Sequence, residues 1–571
     1  MNKLVKHVVI VGGGTAGWLS AGILAAKLKP DYKVTLIESP NVPTIGVGEG
    51  SWPSLRDTLL DIGINEREFL TACKGTFKQG SSFVNWRACA ANSQTFAHQY
   101  HHPFTVPTAY NELDIHACWQ SIAKHESYEN SFSLQSLMCT QGKAPKQATT
   151  PDYAHVLNYG YHFDATALAN LLKKHCLETL GVHYVSAHVS KVEEHPNGYI
   201  RQLLTDNGQA ISGDLFIDCS GKSGLLIQQH FNVPWLSLET TMLNNRAMAV
   251  QAPYAPDDQA ISSTTVATAQ RVGWTWDIGL QHRRGVGLVY ASEFCNEDAA
   301  IDILFKQVSQ RLRHAKEQDL SVRTLSFEPG YRKDFWVKNC LSLGMSSGFV
   351  EPLEASAIAM VELGLRMLCE SFPHNAEHME HVSQRYNQRF EYRWQRVVDF
   401  LKLHYVLSER NEPYWLAQRH ESRTPPSLST LLEIWKYQSP SRLDLIENEE
   451  VFPSASYQYV LYGMGYRTLP NSASLSEEDR QKACNIREKL QQTKPSYFQA
   501  LPSNNALLKS LAERYATSDL VDSQCPSGQT DKASSANDAS KDNGNINNNV
   551  ESYRDGTPNK KDTQYDRIGF R

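Results

Sequence analysis

The chain has 571 residues, 41% of them hydrophobic, and a formal net charge of -5. This length allows a large buried core, and the charge lacks the basic surplus that is typical of nucleic-acid-binding proteins. Eleven cysteines without a C-x-x-C pair indicate neither a structural metal site nor a disulfide framework. We therefore expect a cytoplasmic protein that acts on small molecules, with no metal, nucleic acid or membrane as partner.

The first predicted element is a buried strand, Val8 to Val11, which is too short for the apolar core of a signal peptide. Three glycines follow it, a helix opens at Thr15 or Ala16, and "KVTLIES" forms a second strand ending at Glu38, 21 residues after Gly17. With this spacing, the glycines allow a pyrophosphate to approach the helix N-terminus. The Glu38 carboxylate can then accept hydrogen bonds from the ribose hydroxyl groups of the cofactor. The predicted cofactor-binding residues are Gly12, Gly14, Thr15, Ala16, Gly17 and Glu38.

Two later segments extend this nucleotide site. "DLFIDCSG", Asp214 to Gly221, predicts another strand that runs into a glycine turn, and "LSLGMSSGFVEP" follows from Leu341. Distant pieces that complete one pocket favour an FAD fold over a compact NAD domain, with pieces near residues 6–50, 155–225 and 335–370. Because no second nucleotide fingerprint is present, we expect reduced FAD to come from a separate reductase by diffusion.

The rest of the chain divides by composition. Residues 89–151 are rich in His, Tyr and Gln without periodicity, which predicts loops and short elements over the core. From Ser518 the sequence is Ser, Asn, Asp and Gly with few apolar residues, so it cannot offset its chain entropy by burial. We expect a catalytic region over 1–517 and a disordered tail over 518–571.

Three further segments carry most of the chemistry: "GTFKQGSSFVNW", "GWTWDIG" and "SSGFVEPLEASAI". Taken singly, Lys78 in the first reads as a solvated charge on a half-exposed strand, and the two tryptophans of the second read as core residues. Together with "VVIVGGGTAGW" and "GVGEGSWP", they resemble the flavin-dependent tryptophan halogenase family, from about Lys6 to Ala506. The W-x-W-x-I box paired with a lysine is the most specific element.

The resemblance implies a fold and a reaction. The fold is α/β: an FAD-binding, glutathione-reductase-like Rossmann fold of the flavin monooxygenase type, with an added, largely helical substrate-binding region. In this family reduced FAD, O2 and a chloride or bromide ion give hypohalous acid, which passes through a tunnel to a lysine beside an electron-rich aromatic substrate, indole or tryptophan-like. The implied tunnel residues are Trp274, Trp276 and Ile278.

The resemblance also assigns roles at the reacting end. Lys78 would hold the oxidant, either as hydrogen-bonded acid or as a haloamine, and partial desolvation would lower its pKa. Glu354 would take the ring proton or stabilise the cationic intermediate. Without the resemblance, Glu354 reads as an acid in the first turn of a helix from Leu353. The remaining implied residues are Ser356 and Ala357 for the halide, and Gly344 and Leu353 for the cofactor.

Two departures from the family pattern are visible. Ser356-Ala357 stands where the best-known members have Thr-Gly, which leaves the choice between chloride and bromide open, and Gly279 stands where the box usually ends in proline. The clamp for an amino-acid substrate is not recognisable. The candidate substrate-binding residues are His102, Phe104, Tyr459 and Tyr462, and a homodimer stays open.

Two alternatives share the predicted fold. An aromatic hydroxylase of the flavin monooxygenase class would not need Lys78 or the tryptophan pair, and it would tend to have an Asp where Met345 follows Gly344. A non-catalytic FAD-binding relative would have no reason to keep Lys78 and Glu354 together. Halide dependence separates the hydroxylase from the halogenase, and turnover on a panel of indoles tests the non-catalytic alternative.

Overall fold

The computed structural model describes residues 4–42, 48–87, 98–312, 320–469 and 475–522, with only the backbone described for 515–522. The strands, in chain order, are β1 (His7–Val11), β2 (Lys33–Glu38), β3 (Gly48–Gly50), β4 (Thr76–Lys78), β5 (Gly80–Val84), β6 (Gln99–Pro103), β7 (Gly160–Asp164), β8 (His183–Ser186), β9 (Val189–Glu194), β10 (Ile200–Thr205), β11 (Ala210–Ser212), β12 (Leu215–Asp218), β13 (Trp235–Ser237), β14 (Arg246–Ala252), β15 (Thr265–Gln270), β16 (Gly273–Gly279), β17 (Arg284–Tyr290), β18 (Arg323–Ser326), β19 (Gly330–Arg332), β20 (Trp336–Val337), β21 (Cys340–Ser342) and β22 (Gly348–Phe349).

The helices lie between these strands and in the last third of the chain. They are α1 (Thr15–Lys27), α2 (Ser54–Ile62), α3 (Glu66–Ala72), α4 (Ile115–Ile122), α5 (Tyr128–Ser131), α6 (Gln135–Thr140), α7 (Ala165–Glu178), α8 (Glu297–Ser309), α9 (Ser356–Glu370), α10 (Ala376–Val406), α11 (Pro413–Gln418), α12 (Pro426–Trp435), α13 (Ser454–Gly463), α14 (Glu477–Ala500) and α15 (Asn504–Asp522). Among the described residues, no helix has the length and apolar character needed to cross a membrane.

A six-stranded sheet forms the nucleotide end of the molecule, in the order β20-β21-β12-β1-β2-β8. All its neighbours pair in parallel except β20 with β21. The central strand β1 is an apolar run because both faces of a parallel sheet are covered. The predicted order of strand, glycine turn, helix and strand is confirmed, with α1 starting at Thr15 and β2 ending at Glu38.

A second, seven-stranded sheet has the order β18-β14-β17-β16-β15-β5-β6 and is antiparallel apart from the β15–β5 pair. Its strand β16 carries the two tryptophans of the W-x-W-x-I box. A small sheet, β3-β7-β4, lies beside it and carries Lys78 at the end of β4. Gly48 on β3 lies beside Ile278 on β16, and an added Cβ there would be in ordinary contact with the Ile278 Cγ2 atom, at 3.7 Å. The two sheets therefore meet at the site predicted from the family motifs.

Helices cover this junction. The 31-residue α10 begins at a cap in which Asn375 accepts from the backbone N–H of His378, and α13 packs against α10 and β6. The predicted region of short elements before residue 151 contains β6, α4, α5 and α6, while 88–97 lie outside the described residues.

The C-terminal helices fold back onto the small sheet. Lys143 Nζ donates to the carbonyls of Phe498 and Leu501 at the end of α14, and Asn504 Nδ2 donates to the Phe77 carbonyl at 3.2 Å. The last described helix runs to Asp522, past the expected boundary at Ser518, and its last turn includes the apolar Leu520 and Val521. Residues 523–571 of the expected tail lie outside the described residues.

Candidate active site

The glycine turn after β1 leaves room for a ligand only on one side. Gly12 has a φ of +117°, and a Cβ there would lie 2.2 Å from the Cys219 carbonyl oxygen. A Cβ at Gly17 would lie 1.8 Å from the Gly12 oxygen, so both positions require glycine. At Gly14, the residue before α1, no atom lies within 4 Å of the Cβ position. The open space therefore lies in front of the helix N-terminus, where a pyrophosphate binds.

A second glycine turn completes this cradle. Gly344 has a φ of +65°, and a Cβ there would lie 2.7 Å from the Ala16 Cβ atom in the first turn of α1, next to Thr15. The preceding residue, Leu343, donates its N–H to the Asp218 carbonyl at the end of β12. Leu353, a candidate from the following segment, is buried in the main core. The structure thus brings the distant predicted pieces together at one edge of the sheet.

The acid predicted to bind a ribose also lies at this edge. A Cβ at Gly13 would lie 2.2 Å from Glu38 Oε1, which places this carboxylate beside the glycine turn. Its Oε2 atom accepts from Lys173 Nζ at 2.6 Å and from Tyr184 OH at 2.9 Å. These two donors orient Glu38, and no short motif in the sequence indicates them. Turn, acid and open space together fit a dinucleotide cofactor such as FAD.

Lys78 is buried, with 1% of its surface exposed. Its Nζ atom lies 5.4 Å from the centre of the Phe104 ring and close to Gly50, where a Cβ would be 3.1 Å away. Burial lowers the pKa of Lys78 to about 8, against the opposing charge of Glu354. Within the described residues its ammonium makes no hydrogen bond. Lys78 is therefore a desolvated amine rather than the solvated charge of an isolated strand.

Glu354 is also buried, and it is surrounded by polar groups. Its Oε1 atom lies 2.9 Å from His102 Nδ1 and 3.3 Å from His404 Nε2, and its Oε2 atom accepts from Ser81 Oγ at 3.3 Å. Burial by itself raises the pKa of Glu354, but the two histidines outweigh it and hold this pKa below the usual range. His404 Nδ1 in turn lies 2.7 Å from Tyr100 OH. Glu354 is thus held as an ionised carboxylate by the histidines around it.

The position of Glu354 corrects the simpler interpretation of its segment. Helix α9 begins at Ser356, not at Leu353, because Ala355 adopts a left-handed backbone with a φ of +54°. Glu354 therefore precedes the helix, and its carbonyl accepts from Trp52 Nε1 at 2.7 Å. Ser356 and Ala357 are the first two residues of α9, where unpaired backbone N–H groups favour an anion.

The box tryptophans are buried on one face of β16, as alternate residues of a strand must be. Their ring centroids are 6.2 Å apart, and Ile278 follows on the same face next to Gly48. Trp276 also lines a cavity of about 520 Å³ with Gly48 and Arg283. Trp274 Nε1 donates to Glu351 Oε2 at 2.7 Å. The two indoles thus lie side by side in the core, with Trp276 at a cavity and Trp274 bonded to Glu351.

The candidate substrate residues divide into two groups. Phe104 lies beside Lys78, and His102 contacts Glu354 and Ser456 Oγ, the latter at 2.9 Å. Tyr459 lies 6.3 Å from the His102 ring, and its hydroxyl donates to the Thr105 carbonyl. Tyr462 instead stacks on His116 with centroids 4.1 Å apart, and Tyr128 lies between its ring and that of Tyr459. Only the first three are brought to the predicted site.

The structure adds site residues that the sequence did not indicate. Ser81 comes from β5, and His404 and Tyr405 come from α10 in the segment "DFLKLHYVLSERNEPYW". Ser81 is 273 positions from the carboxylate that it contacts. The only signal for His404 is that a histidine lies in an otherwise apolar stretch of a long helix, which is more often a core residue.

The fold and the glycine cradle define an α/β protein of the FAD-binding type, and comparison with known proteins gives its family. The sequence profile described as tryptophan halogenase matches residues 7–478. Tryptophan 7-halogenase RebH of Lentzea aerocolonigenes is 30% identical over 448 residues, which span 76% of this chain and 83% of RebH. The protein therefore belongs to the tryptophan halogenase family.

Solved structures agree with this assignment. The tryptophan halogenase of Shewanella frigidimarina NCIMB 400 superposes with a TM-score of 0.86 at 42% identity, over 90% of this chain and 98% of that one. Xcc4156, a flavin-dependent halogenase of Xanthomonas campestris, gives a TM-score of 0.76 at 29% identity, over 89% and 98%. The predicted fold class, an FAD-binding α/β fold with a helical region, is confirmed, and the chain is an enzyme of this flavin-dependent family.

Proposed function

We propose that this enzyme transfers a halogen atom from hypohalous acid to the ring of tryptophan or another electron-rich indole, with Lys78 and Glu354 as catalytic residues. The observation that supports this most is the burial of both groups at one site: an amine with a lowered pKa and a carboxylate that stays ionised. A hydroxylase needs neither. RebH, the relative named above, is a tryptophan 7-halogenase, which supports tryptophan as the substrate class.

The nucleotide end would hold FAD, delivered reduced by a separate reductase. Gly12, Gly14 and Gly17 would receive the pyrophosphate in front of α1, and Glu38 would accept from the ribose. The chemistry that bound FADH2 supplies is the oxidation of a halide by O2: FADH2, O2, a halide and a proton give FAD, water and hypohalous acid. Ser356 Oγ and the Ala357 N–H would hold the halide at the start of α9.

Trp274 and Trp276 would separate the two ends. Because they are buried side by side, they keep the substrate away from the flavin and leave a small oxidant as the species that crosses. Exclusion of water from this region would also limit the loss of that oxidant into solution.

Lys78 would hold the oxidant beside the substrate. A pKa of about 8 makes both the ammonium and the neutral amine accessible near neutral pH. The ammonium would hydrogen-bond hypohalous acid and protonate its departing hydroxide, and the amine would instead form a haloamine. Either route delivers the halogen at one fixed position, which is how a reactive oxidant becomes selective.

Glu354 would complete the substitution. The ring carbon forms a bond to the halogen, the halogen–oxygen bond breaks, and the hydroxide leaves as water. The displaced ring proton then passes to the Glu354 carboxylate, whose lowered pKa keeps it ionised before the reaction. His102 and Ser81 orient this carboxylate through the contacts described above.

The test is turnover with a defined halide. The protein is incubated with FAD, a flavin reductase, NADH and either bromide or chloride, together with a panel of indoles and phenols, and the products are analysed by mass spectrometry. We expect a halogenated indole whose formation requires halide. An oxygenated product formed without halide would instead favour the hydroxylase, and bound FAD without turnover on the panel would favour a non-catalytic relative.

A further inference from the structure

Glu351 is a buried carboxylate at the back of the wall that Trp274 and Trp276 would form. It is 2% exposed and accepts hydrogen bonds from Trp274 Nε1 at 2.7 Å, Asn244 Nδ2 at 2.6 Å and Tyr405 OH at 2.9 Å. Among the described residues no basic side chain forms an ion pair with it. Burial raises its pKa. A carboxyl group in this place is costly, and an apolar side chain of equal size would fill the same space.

The contacts of Glu351 connect three elements of the site. Trp274 belongs to β16, Tyr405 belongs to α10, and Glu351 itself is three positions before Glu354. Tyr405 directly follows His404, which lies 3.3 Å from Glu354. An indole in a core can adopt more than one ring orientation, and its single N–H donor fixes one of them when it is bonded to a buried acceptor.

We propose that Glu351 is a positioning residue, which fixes the indole of Trp274 so that the wall channels hypohalous acid to Lys78 instead of releasing it. This proposal rests on the proposed function. Without the bond, the ring of Trp274 rotates and the wall loses its closed packing against Trp276. The oxidant is still formed but escapes into solution.

The first measurement needs no catalysis. Protein labelled with ¹⁵N-tryptophan gives one indole N–H resonance for each tryptophan, and the signal lost in Trp274→Phe belongs to Trp274. In Glu351→Gln this signal is expected to move, because the carboxyl acceptor of the indole N–H is replaced by an amide. In Tyr405→Phe, which removes a different hydrogen bond to the same carboxylate, it is expected to stay. An unmoved signal in Glu351→Gln overturns the proposal.

The second measurement is the ratio of halogenated product to hypohalous acid trapped by an external scavenger. In Glu351→Gln and in Trp274→Phe this ratio is expected to fall about tenfold, the scale of one hydrogen bond, while O2 consumption changes little. The double variant is expected to match Trp274→Phe alone, because both changes act through one contact. The proposal is overturned if the ratio in the double variant falls by the product of the two single effects. It is also overturned if the ratio is unchanged in Trp274→Phe.

The controls distinguish a failure of the Glu351 proposal from a failure of the proposed halogenase function. If Glu351→Gln does not fold, Trp274→Phe, which keeps a flat ring in place, must show the release by itself. A wild-type protein that forms neither hypohalous acid nor halogenated product contradicts the proposed function. A wild-type protein that halogenates, with the same ratio in every variant, contradicts only the role of Glu351.

Discussion

His102 Nδ1 lies 2.9 Å from Glu354 Oε1, and both side chains are buried. An ionised carboxylate only accepts hydrogen bonds, so this histidine nitrogen carries the proton. The contact leaves Glu354 oriented and charged before any substrate arrives, which is the state that a proton acceptor needs.

Replacing Glu354 by glutamine tests that role. The amide keeps an oxygen for His102 but cannot take a ring proton, so we expect halogenated product to form about 100-fold more slowly, the usual scale for a positioned base. Halide-dependent formation of oxidant should continue. Glu362→Gln on α9 is the control: this buried carboxyl accepts from Ser54 and Thr58, and burial raises its pKa to about 7. Equal rates in both variants would refute the assignment.

The buried ammonium of Lys78 should destabilise the folded protein. Its folded pKa of about 8 lies below the 10.5 of an exposed lysine, so the folded state binds this proton less tightly than the unfolded state. The penalty is full below pH 8 and disappears as the pH rises towards 10.5. Lys78→Met should therefore raise the thermal midpoint near neutral pH, by less at pH 10, while product is lost.

A second buried lysine provides the contrast in the same measurement. Lys146 forms an ion pair with Glu66 and donates to Tyr159 OH at 3.2 Å. Lys146→Met leaves a buried carboxylate unpaired and should cost about 3 to 5 kcal/mol. A Lys78→Met protein that is destabilised as strongly would show that Lys78 is structural.

The glycine cradle makes a prediction about FAD alone. Because no atom lies within 4 Å of a Cβ at Gly14, valine there should leave the fold intact and fill only the space of the pyrophosphate. We expect Gly14→Val to lose FAD affinity, measured by titration. Gly22→Ala is the control: this residue lies inside α1, an added Cβ would make ordinary contact with Cys176 Sγ at 3.5 Å, and the variant should bind FAD normally. Full FAD affinity in Gly14→Val would remove the cofactor assignment.

The C-terminal end offers a paired deletion. Removal of 523–571 should leave folding and turnover intact, because its composition offers little apolar surface to bury. Removal of 501–571 also deletes Asn504, whose amide donates to the carbonyl next to Lys78. We expect that deletion to lower both thermal stability and product formation. Lower thermal stability after removal of 523–571 would contradict this prediction. Unchanged thermal stability and product formation after removal of 501–571 would also contradict it.

The sequence could predict what depends on local spacing. The glycines, the helix start at Thr15 and the acid at Glu38 follow from a fixed register of strand, turn and helix, and the structure has all three. Lys78 and Glu354 needed a resemblance, because nothing in "GTFKQG" shows that the lysine is buried. Lys78 is covered by β7, which pairs with β4, and by Gly50, whose lack of a side chain leaves room for the Lys78 Nζ atom. Neither is adjacent to Lys78 in the sequence.

The surroundings of Glu354 could not be predicted in the same way. Ser81 and His404 reach it from other elements, and a helix histidine gives no sign of its partner. Tyr462 follows Tyr459 by three positions and lies on the same side of α13, and both rings contact Tyr128, but Tyr462 stacks on His116 whereas Tyr459 lies beside His102.

The most direct test of the central claim is the product of Lys78→Ala with bromide. A substrate too unreactive for dissolved hypobromous acid is supplied with FAD, a reductase and NADH, and both O2 consumption and brominated product are measured. The account predicts that wild type brominates, whereas Lys78→Ala consumes O2 at a similar rate and gives no brominated product. Full bromination by Lys78→Ala, or oxygen instead of bromine in the wild-type product, would contradict it.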